Sequence, residues 1–222
     1  MQSTYIQIIG NFGGFLANKG KFIVFEGIDG SGKSTMLKET ASWLGGKVGS
    51  NNVIVTAEPT KGELGKKIRE ILAFGKAEEN AEELLELYVK DREEHLDKVV
   101  KPALGAGNIV LCDRYKYSTF AYQVAQGIEQ GKVIELHSGF AVPDLAVVFD
   151  LPVEVALSRI SNSARRGKLE RFEAKEFLEK VRKNFLKCGE VFEGERIEVI
   201  DASVSKEKVR EQLKNMFSKL ID

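Results

Sequence analysis

Residues 27–34 read Gly27-Ile28-Asp29-Gly30-Ser31-Gly32-Lys33-Ser34. This stretch fits G-x-x-x-x-G-K-[ST], follows an apolar run at 22–26 and opens a helical pattern at 33–44, the context that a phosphate-binding loop requires. Glycines let the backbone wrap a polyphosphate with its N–H groups turned inward, and the N-terminus of the following helix adds positive potential. Lys33 is expected to reach the outer phosphates, and the Ser34 hydroxyl to ligate Mg²⁺. Gly27, Ile28, Asp29, Gly30, Ser31, Gly32, Lys33, Ser34 and Thr35 together form the expected nucleotide cradle.

Outward from the loop, short apolar runs alternate with helical patterns, which predicts an α/β fold of three layers, a five-stranded, mainly parallel sheet flanked by helices. Strands are expected at 22–26, 53–57, 109–112, 146–150 and 197–200. Helices are expected at 33–44, 64–74, 81–103, 118–127, 153–162, 174–188 and 206–220. The runs Val110-Leu111-Cys112 and Val147-Val148-Phe149 do not alternate in polarity, so helices should cover both sheet faces there. No repeat or low-complexity linker interrupts the order, so residues 21–222 read as a single domain preceded by an N-terminal extension, 1–20. Residues 161–170 are polar and basic, and they read either as a solvated connector or as a mobile cationic flap; the lid is taken as approximately 161–171.

Composition narrows the function. Across 222 residues, 33 basic side chains balance 33 acidic ones, so there is no bulk attraction for nucleic acid or anionic lipid, and phosphate binding must come from a local pocket. No stretch approaches the ~18 apolar residues of a membrane span. Cys112 and Cys188 lie far apart, and with only His95 and His137 they do not complete an ordinary zinc set, so a reduced, cytoplasmic setting is expected.

Ligands of open α/β sheets bind beyond the carboxyl ends of the strands. Those ends carry Glu26 and Asp29, Glu58, Asp113-Arg114 and Asp150. Four strands converging on acidic or Asp-Arg endings suit a Mg²⁺-nucleotide with a second, hydroxyl-bearing substrate. Arg69, Arg114, Arg165, Arg166 and Arg171 supply planar forks for phosphate. Tyr88 and Arg92 are four residues apart on one helix face, a ring and a guanidinium that suit a base, although such a stripe is more often core with an arginine at its edge. A GTPase would need N-K-x-D after a later strand; the only Asn-Lys is Asn18-Lys19, ahead of the loop.

These residues resemble the thymidylate kinases over most of the chain, from Phe22 to about Ser203. The resemblance is carried by F-E-G-I-D-G-S-G-K-S-T (25–35), E-P-T (58–60), G-K-K-I-R ending at Arg69, and L-Y-V-K-D-R-E-E-H (87–95). It continues through D-R-Y-K-Y-S-T-F-A-Y-Q (113–123), P-D-L-A-V-V-F-D-L-P (143–152), R-F-E (171–173) and I-D-A-S (200–203). The resemblance implies transfer of the γ-phosphoryl of ATP to dTMP, giving dTDP and ADP for dTTP synthesis, with ATP and Mg²⁺ as cofactors and a homodimeric assembly. It implies that Asp29 faces the sugar 3'-hydroxyl and acceptor phosphate, that Arg114 and Arg69 clamp that phosphate, and that Tyr88 stacks on thymine beside Arg92. Glu58, Ser118, Thr119, Tyr122 and Gln123 join the nucleoside pocket, with Tyr122 crowding a ribose 2'-hydroxyl.

Two departures stand out. Some members carry arginine at the position of Gly30, and those without it use lid arginines, here Arg165 and Arg166. Many bacterial members carry arginine before Glu-Pro, where Ala57 stands here, so that contact is missing or supplied elsewhere. The competing expectations are a broad deoxynucleoside monophosphate kinase and a phosphate-loop regulatory ATPase with no nucleotide acceptor.

Overall fold

The computed structural model describes residues 20–73, 80–161 and 168–221. In chain order it contains β1 (Lys21–Glu26), α1 (Lys33–Val48), a single 3₁₀ turn (Ser50–Asn52), β2 (Val53–Ala57), α2 (Glu63–Ala73) and α3 (Ala81–His95). A π-helical turn (Leu96–Val100) leads into α4 (Lys101–Gly105), β3 (Ile109–Asp113), α5 (Lys116–Ala125), α6 (Gln130–His137) and β4 (Leu145–Asp150). The chain closes with α7 (Val153–Ser161), α8 (Lys168–Val191), β5 (Ile197–Asp201) and α9 (Lys206–Ile221).

The strands form one parallel sheet in the order β2-β3-β1-β4-β5. β1 is central, and Phe22 to Phe25 are at most 1% exposed. Phe25 meets Phe149 and, from α9, Phe217, whereas Phe22 meets Tyr115 edge-on at 5.1 Å. The two phenylalanines are three positions apart, so they point to opposite faces, and each face has its own aromatic cover. β3 and β4 are buried along their length, as their unbroken apolar runs require. The edge strands differ, leaving Val55 of β2 and Val199 of β5 about half exposed.

Three helices depart from expectation. Residues 81–103 do not form one uninterrupted α-helix: the Lys101 N–H reaches back five residues to the Leu96 carbonyl. Pro102 has no N–H to continue the regular ladder, and the wider turn sits immediately before it. The sequence reading also missed α6, whose start is set by the Glu129 carboxylate accepting from the N–H groups of Gly131 and Lys132. Glutamate is not among the favoured capping residues, so the signal was weak. Helix α8 begins at Lys168, so the last three residues of the expected connector, 168–170, are helical. The N-terminal extension, up to residue 19, and residues 162–167 of the expected lid, with Arg165 and Arg166, lie outside the described residues.

Because β1 is flanked by β3 on one side and β4 on the other, the loops after β1 and β3 emerge next to each other. Phe25 pairs with Asp113, which sets the phosphate loop beside the Asp113-Arg114 turn.

Candidate active site

The phosphate loop turns through Gly27, Gly30 and Gly32, all with positive φ. At Gly30 a side chain is excluded twice over. Its φ is 80°, and a Cβ there would lie 2.5 Å from the Ala156 carbonyl oxygen of α7. The loop therefore has no room for an arginine at this position. Helix α1 starts without a side-chain cap, leaving its N-terminus available to an anion. Lys33 is buried, with Nζ 3.5 Å from Asp29 Oδ1. Burial, then the nearby Arg114 charge, lowers its pKa to about 8, against the pull of Asp29. A polyphosphate in the loop would restore the full lysine charge. Residues 29–36 line a cavity of about 440 Å³ together with Arg159, Ala202, Val204, Lys206 and Val209.

On the other side of the loop the Ser34 hydroxyl donates to Asp113 Oδ2 at 2.5 Å, while the buried Asp113 Oδ1 has no partner. A hydroxyl beside an unsatisfied carboxylate oxygen, next to the phosphate cradle, is the all-oxygen donor chemistry that Mg²⁺ prefers. Asp113 thus joins Ser34; the strand-end pattern had marked it as acidic without giving it a role. A buried trio of Glu58, His95 and Cys112 also brings its donor atoms within 4.8 Å of one another. Its carboxylate, however, is committed to Arg92, whose positive charge opposes a cation there.

Arg114 follows Asp113 with φ 72°, the left-handed region that a non-glycine residue enters at a cost. Its surroundings enforce the turn: the Arg114 N–H donates to the Phe25 carbonyl at 2.9 Å, and the Cys112 thiol donates to the Arg114 carbonyl at 3.0 Å. The guanidinium is thereby aimed across the cleft. Nη2 donates to Asp29 Oδ1 at 2.6 Å, Nη1 to Ser118 Oγ at 2.9 Å, and the group lies 5.3 Å from the Tyr122 ring centroid. Burial works against the Arg114 charge, but Tyr122 and the carboxylates of Asp29, Glu26 and Asp113 outweigh it and raise its pKa. For Asp29 burial pushes upward, and Arg114 and Lys33 more than reverse it, so that carboxyl is held below its ordinary range.

Beyond Arg114 opens a cavity of about 290 Å³ lined by Asp29, Glu58, Pro59, Leu72, Tyr88, Arg92, Arg114, Tyr115, Ser118, Thr119, Tyr122 and Gln123. Arg92 is 1% exposed. Its Nε and Nη2 hold Glu58 Oε2 at 2.8 and 2.7 Å, and Nη2 also donates to Thr119 Oγ1 at 3.0 Å. The remaining nitrogen, Nη1, is buried without a partner. Glu58 Oε1 lies 2.9 Å from His95 Nδ1, and His95 Nε2 lies 2.7 Å from Thr56 Oγ1. The adjoining Asp91 carboxylate accepts from the Thr60 N–H and hydroxyl. Glu58-Pro59-Thr60 is therefore pinned to α3 by two consecutive residues, Asp91 and Arg92. The Gln123 amide nitrogen donates to the Ala81 carbonyl at 3.2 Å and to Gln126 Oε1 at 2.7 Å, which leaves its carbonyl oxygen as the free acceptor.

Nine residues singled out as substrate-binding, namely Asp29, Glu58, Tyr88, Arg92, Arg114, Ser118, Thr119, Tyr122 and Gln123, share this one cavity. Arg69 does not line it. Its Nη1 donates to the carbonyls of Pro59 and Thr60 at 3.1 and 2.6 Å, and the side chain borders a neighbouring cavity with Ser34, Thr60 and Asp113. Sequence reasoning missed Arg159, which reaches the Gly30 and Ala202 carbonyls from α7 and belongs to no spacing pattern that marks it. Glu26 was marked as an acidic strand end without a role of its own, and the structure buries it fully below the turn.

A family model for thymidylate kinase matches residues 25–213. Among curated proteins, a probable thymidylate kinase of Pyrococcus horikoshii is 45% identical over 186 residues, covering 81% of this chain and 87% of that protein. A thymidylate kinase of Desulfotalea psychrophila is 45% identical over 164 residues, covering 74% and 79%. Among solved structures, thymidylate kinase from Ehrlichia chaffeensis superposes with a TM-score of 0.71 at 28% identity, over 89% of this chain and 98% of that one.

Proposed function

The chain belongs to the thymidylate kinase family, and from that membership we propose that it transfers the γ-phosphoryl group of ATP to dTMP, giving dTDP and ADP. The phosphate loop and the cavity beside Arg159 would hold ATP, and the cavity beyond Arg114 would hold dTMP. A dTMP phosphate oxygen forms the new bond to the γ-phosphorus as the bond from that phosphorus to the bridging oxygen of ADP breaks. The acceptor is already an anion at pH 7, so no general base is required, and the protein's task is to position groups and neutralise charge. Lys33 meets the outer phosphates of ATP, Arg114 clamps the acceptor phosphate, and Asp29 orients Arg114 and faces the sugar. Ser34 and Asp113 would hold Mg²⁺, which neutralises charge on the ATP phosphates when bound. The lid arginines Arg165 and Arg166 would cover the transferring group.

The observation that carries the choice of base is the unpartnered Nη1 donor of Arg92 in a cavity that Gln123, with its amide nitrogen already engaged, also lines. Thymine presents an O4 acceptor and an N3–H donor; cytosine presents the reverse at both positions. Each buried mismatch costs about 1–3 kcal/mol. Turnover with ATP and Mg²⁺ across dTMP, dUMP, dCMP and dGMP is expected to favour dTMP over dCMP by about 100-fold or more, from two such mismatches. Equal use of dCMP would replace this reading with a broad monophosphate kinase, and ADP release that no monophosphate accelerates would defeat the kinase assignment.

The assembly we infer is a homodimer, as the family resemblance implies. Large apolar side chains remain exposed at Leu72 of α2, Val99 of the π-turn and Leu136 of α6. Light scattering is expected to give twice the 24.7 kDa chain mass, and a concentration-independent single-chain mass would refute it. Among the described residues no helix is long and apolar enough to cross a membrane. Cys112 and Cys188 are free, buried thiols, which supports a reducing cytoplasmic setting.

A further inference from the structure

Glu26 ends the central strand, immediately before Gly27 of the phosphate loop, and is 0% exposed. Its carboxylate lies among three donors that belong to the first turn of α5. The Tyr115 N–H donates to Oε1 at 2.7 Å and the Ser118 N–H at 3.3 Å, while the Ser118 hydroxyl donates to Oε2 at 2.5 Å. Helix α5 has no side-chain cap from its own N-cap residue, Tyr115. A strand residue 89 positions earlier in sequence takes that part.

Purely structural capping explains a hydrogen-bond acceptor there, but it does not require a buried carboxylate. Burying an ionisable group is costly, and no direct ion pair to Glu26 occurs among the described residues. The hydrogen-bond directions show what the carboxylate adds. The Ser118 hydroxyl has one proton, which goes to Glu26 Oε2, and its lone pairs are thereby turned toward Arg114 Nη1 at 2.9 Å. A carboxylate accepts only, so it fixes that direction. A glutamine amide in its place is able to donate to Ser118 and compete with Arg114 for the same lone pairs.

We propose that Glu26 is a positioning residue for acceptor binding: through Ser118 it fixes the guanidinium of Arg114, and by ending the strand that opens the phosphate loop it ties the two halves of the site to one anchor. The inference rests on the proposed dTMP kinase activity, and it assigns to Glu26 no contact with substrate. It also accounts for the persistence of a left-handed arginine, since Glu26 holds the residue after Arg114 while Phe25 and Cys112 hold Arg114 itself.

The test compares wild type, Glu26→Gln, Ser118→Ala and the double variant in steady-state assays with both substrates varied. Assays are run at pH 8, above the value of about 7 to which burial pushes the Glu26 carboxyl, so that the charged form is compared. Loss of one charge-assisted bond predicts a rise of about 10- to 100-fold in KM for dTMP, with KM for ATP within about twofold of wild type. Because Glu26 acts through Ser118, the double variant should be no worse than the poorer single variant. If KM for ATP rises in parallel with KM for dTMP, or if the two effects multiply, Glu26 is an ordinary structural acid and the inference falls. Should Glu26→Gln not fold, Glu26→Asp takes its place: it keeps the charge but draws the carboxylate back from Ser118, and the same selective rise in KM for dTMP is expected, an unchanged KM for dTMP overturning the inference. A wild-type enzyme inactive on dTMP would defeat the functional assignment, whereas an active wild type with an unchanged Glu26→Gln defeats only this inference.

Discussion

Arg114→Ala is expected to lower dTMP phosphorylation by about a thousandfold or more while ATP binding stays within about twofold of wild type, on the scale of removing a phosphate-clamping arginine. The guanidinium bridges Asp29 and Ser118 and overlies Tyr122, at the junction of the nucleotide cradle and the acceptor cavity. It does not line the cavity beside Arg159, so the donor nucleotide keeps its contacts. Backbone strain at φ 72° is not relieved by alanine, and the turn remains held by Phe25 and Glu26. Arg114→Lys should recover part of the loss, because it restores charge without the planar fork. Single-turnover assays and a fluorescent ATP analogue measure the two quantities separately. Retained turnover in Arg114→Ala, or loss of ATP binding with it, would refute the clamp.

Arg92→Leu is expected to act on stability and substrate together. Glu58 is 5% exposed and is held by Arg92 from one side and His95 from the other, so removing the guanidinium leaves a buried carboxylate without its main counter-charge. The cost of breaking such a pair is about 3–5 kcal/mol, readable as a lower urea midpoint. Productive dTMP binding should also vanish, because Nη1 is the free donor of the base cavity. The double variant Arg92→Leu with Glu58→Gln separates the two effects. It should regain most of the stability, since no unpaired buried charge remains, yet stay unable to select dTMP over dCMP. Recovery of base selection in that double variant would show that Arg92 serves the fold alone.

Much of the site was legible because local chemistry dictates it. The glycines of residues 27–32, Lys33 and Ser34 are close in the chain, and the physics of a phosphate cradle acts over that same short span. Tyr88 and Arg92 share a helix face by periodicity alone. What periodicity left open was whether Arg92 sits at the edge of the core or in the interior. The structure buries it, and the reason lies 34 residues away, in Glu58 at the end of β2. For Arg69 the sequence could not show that one guanidinium nitrogen, Nη1, would be held by the carbonyls of Pro59 and Thr60, ahead of its own helix.

Helix α6 and the π-turn before Pro102 escaped the sequence for a related reason. The first depends on a cap by glutamate, a weak signal, and the second on how one missing N–H is absorbed.

Apolar runs without alternation, the loop glycines and the Asp113-Arg114 ending are local properties of the chain, and they suffice to specify the parallel sheet, the phosphate loop and the kind of chemistry. Which charges meet depends on how distant segments pack. Phe25 pairs in register with Asp113, so the loops after β1 and β3 face each other, and Glu26, Ser118, Arg114 and Asp29 join into one hydrogen-bonded chain. Those contacts join residues separated by up to 92 positions, and no local pattern specifies a partner at that distance. The strand order brings them together.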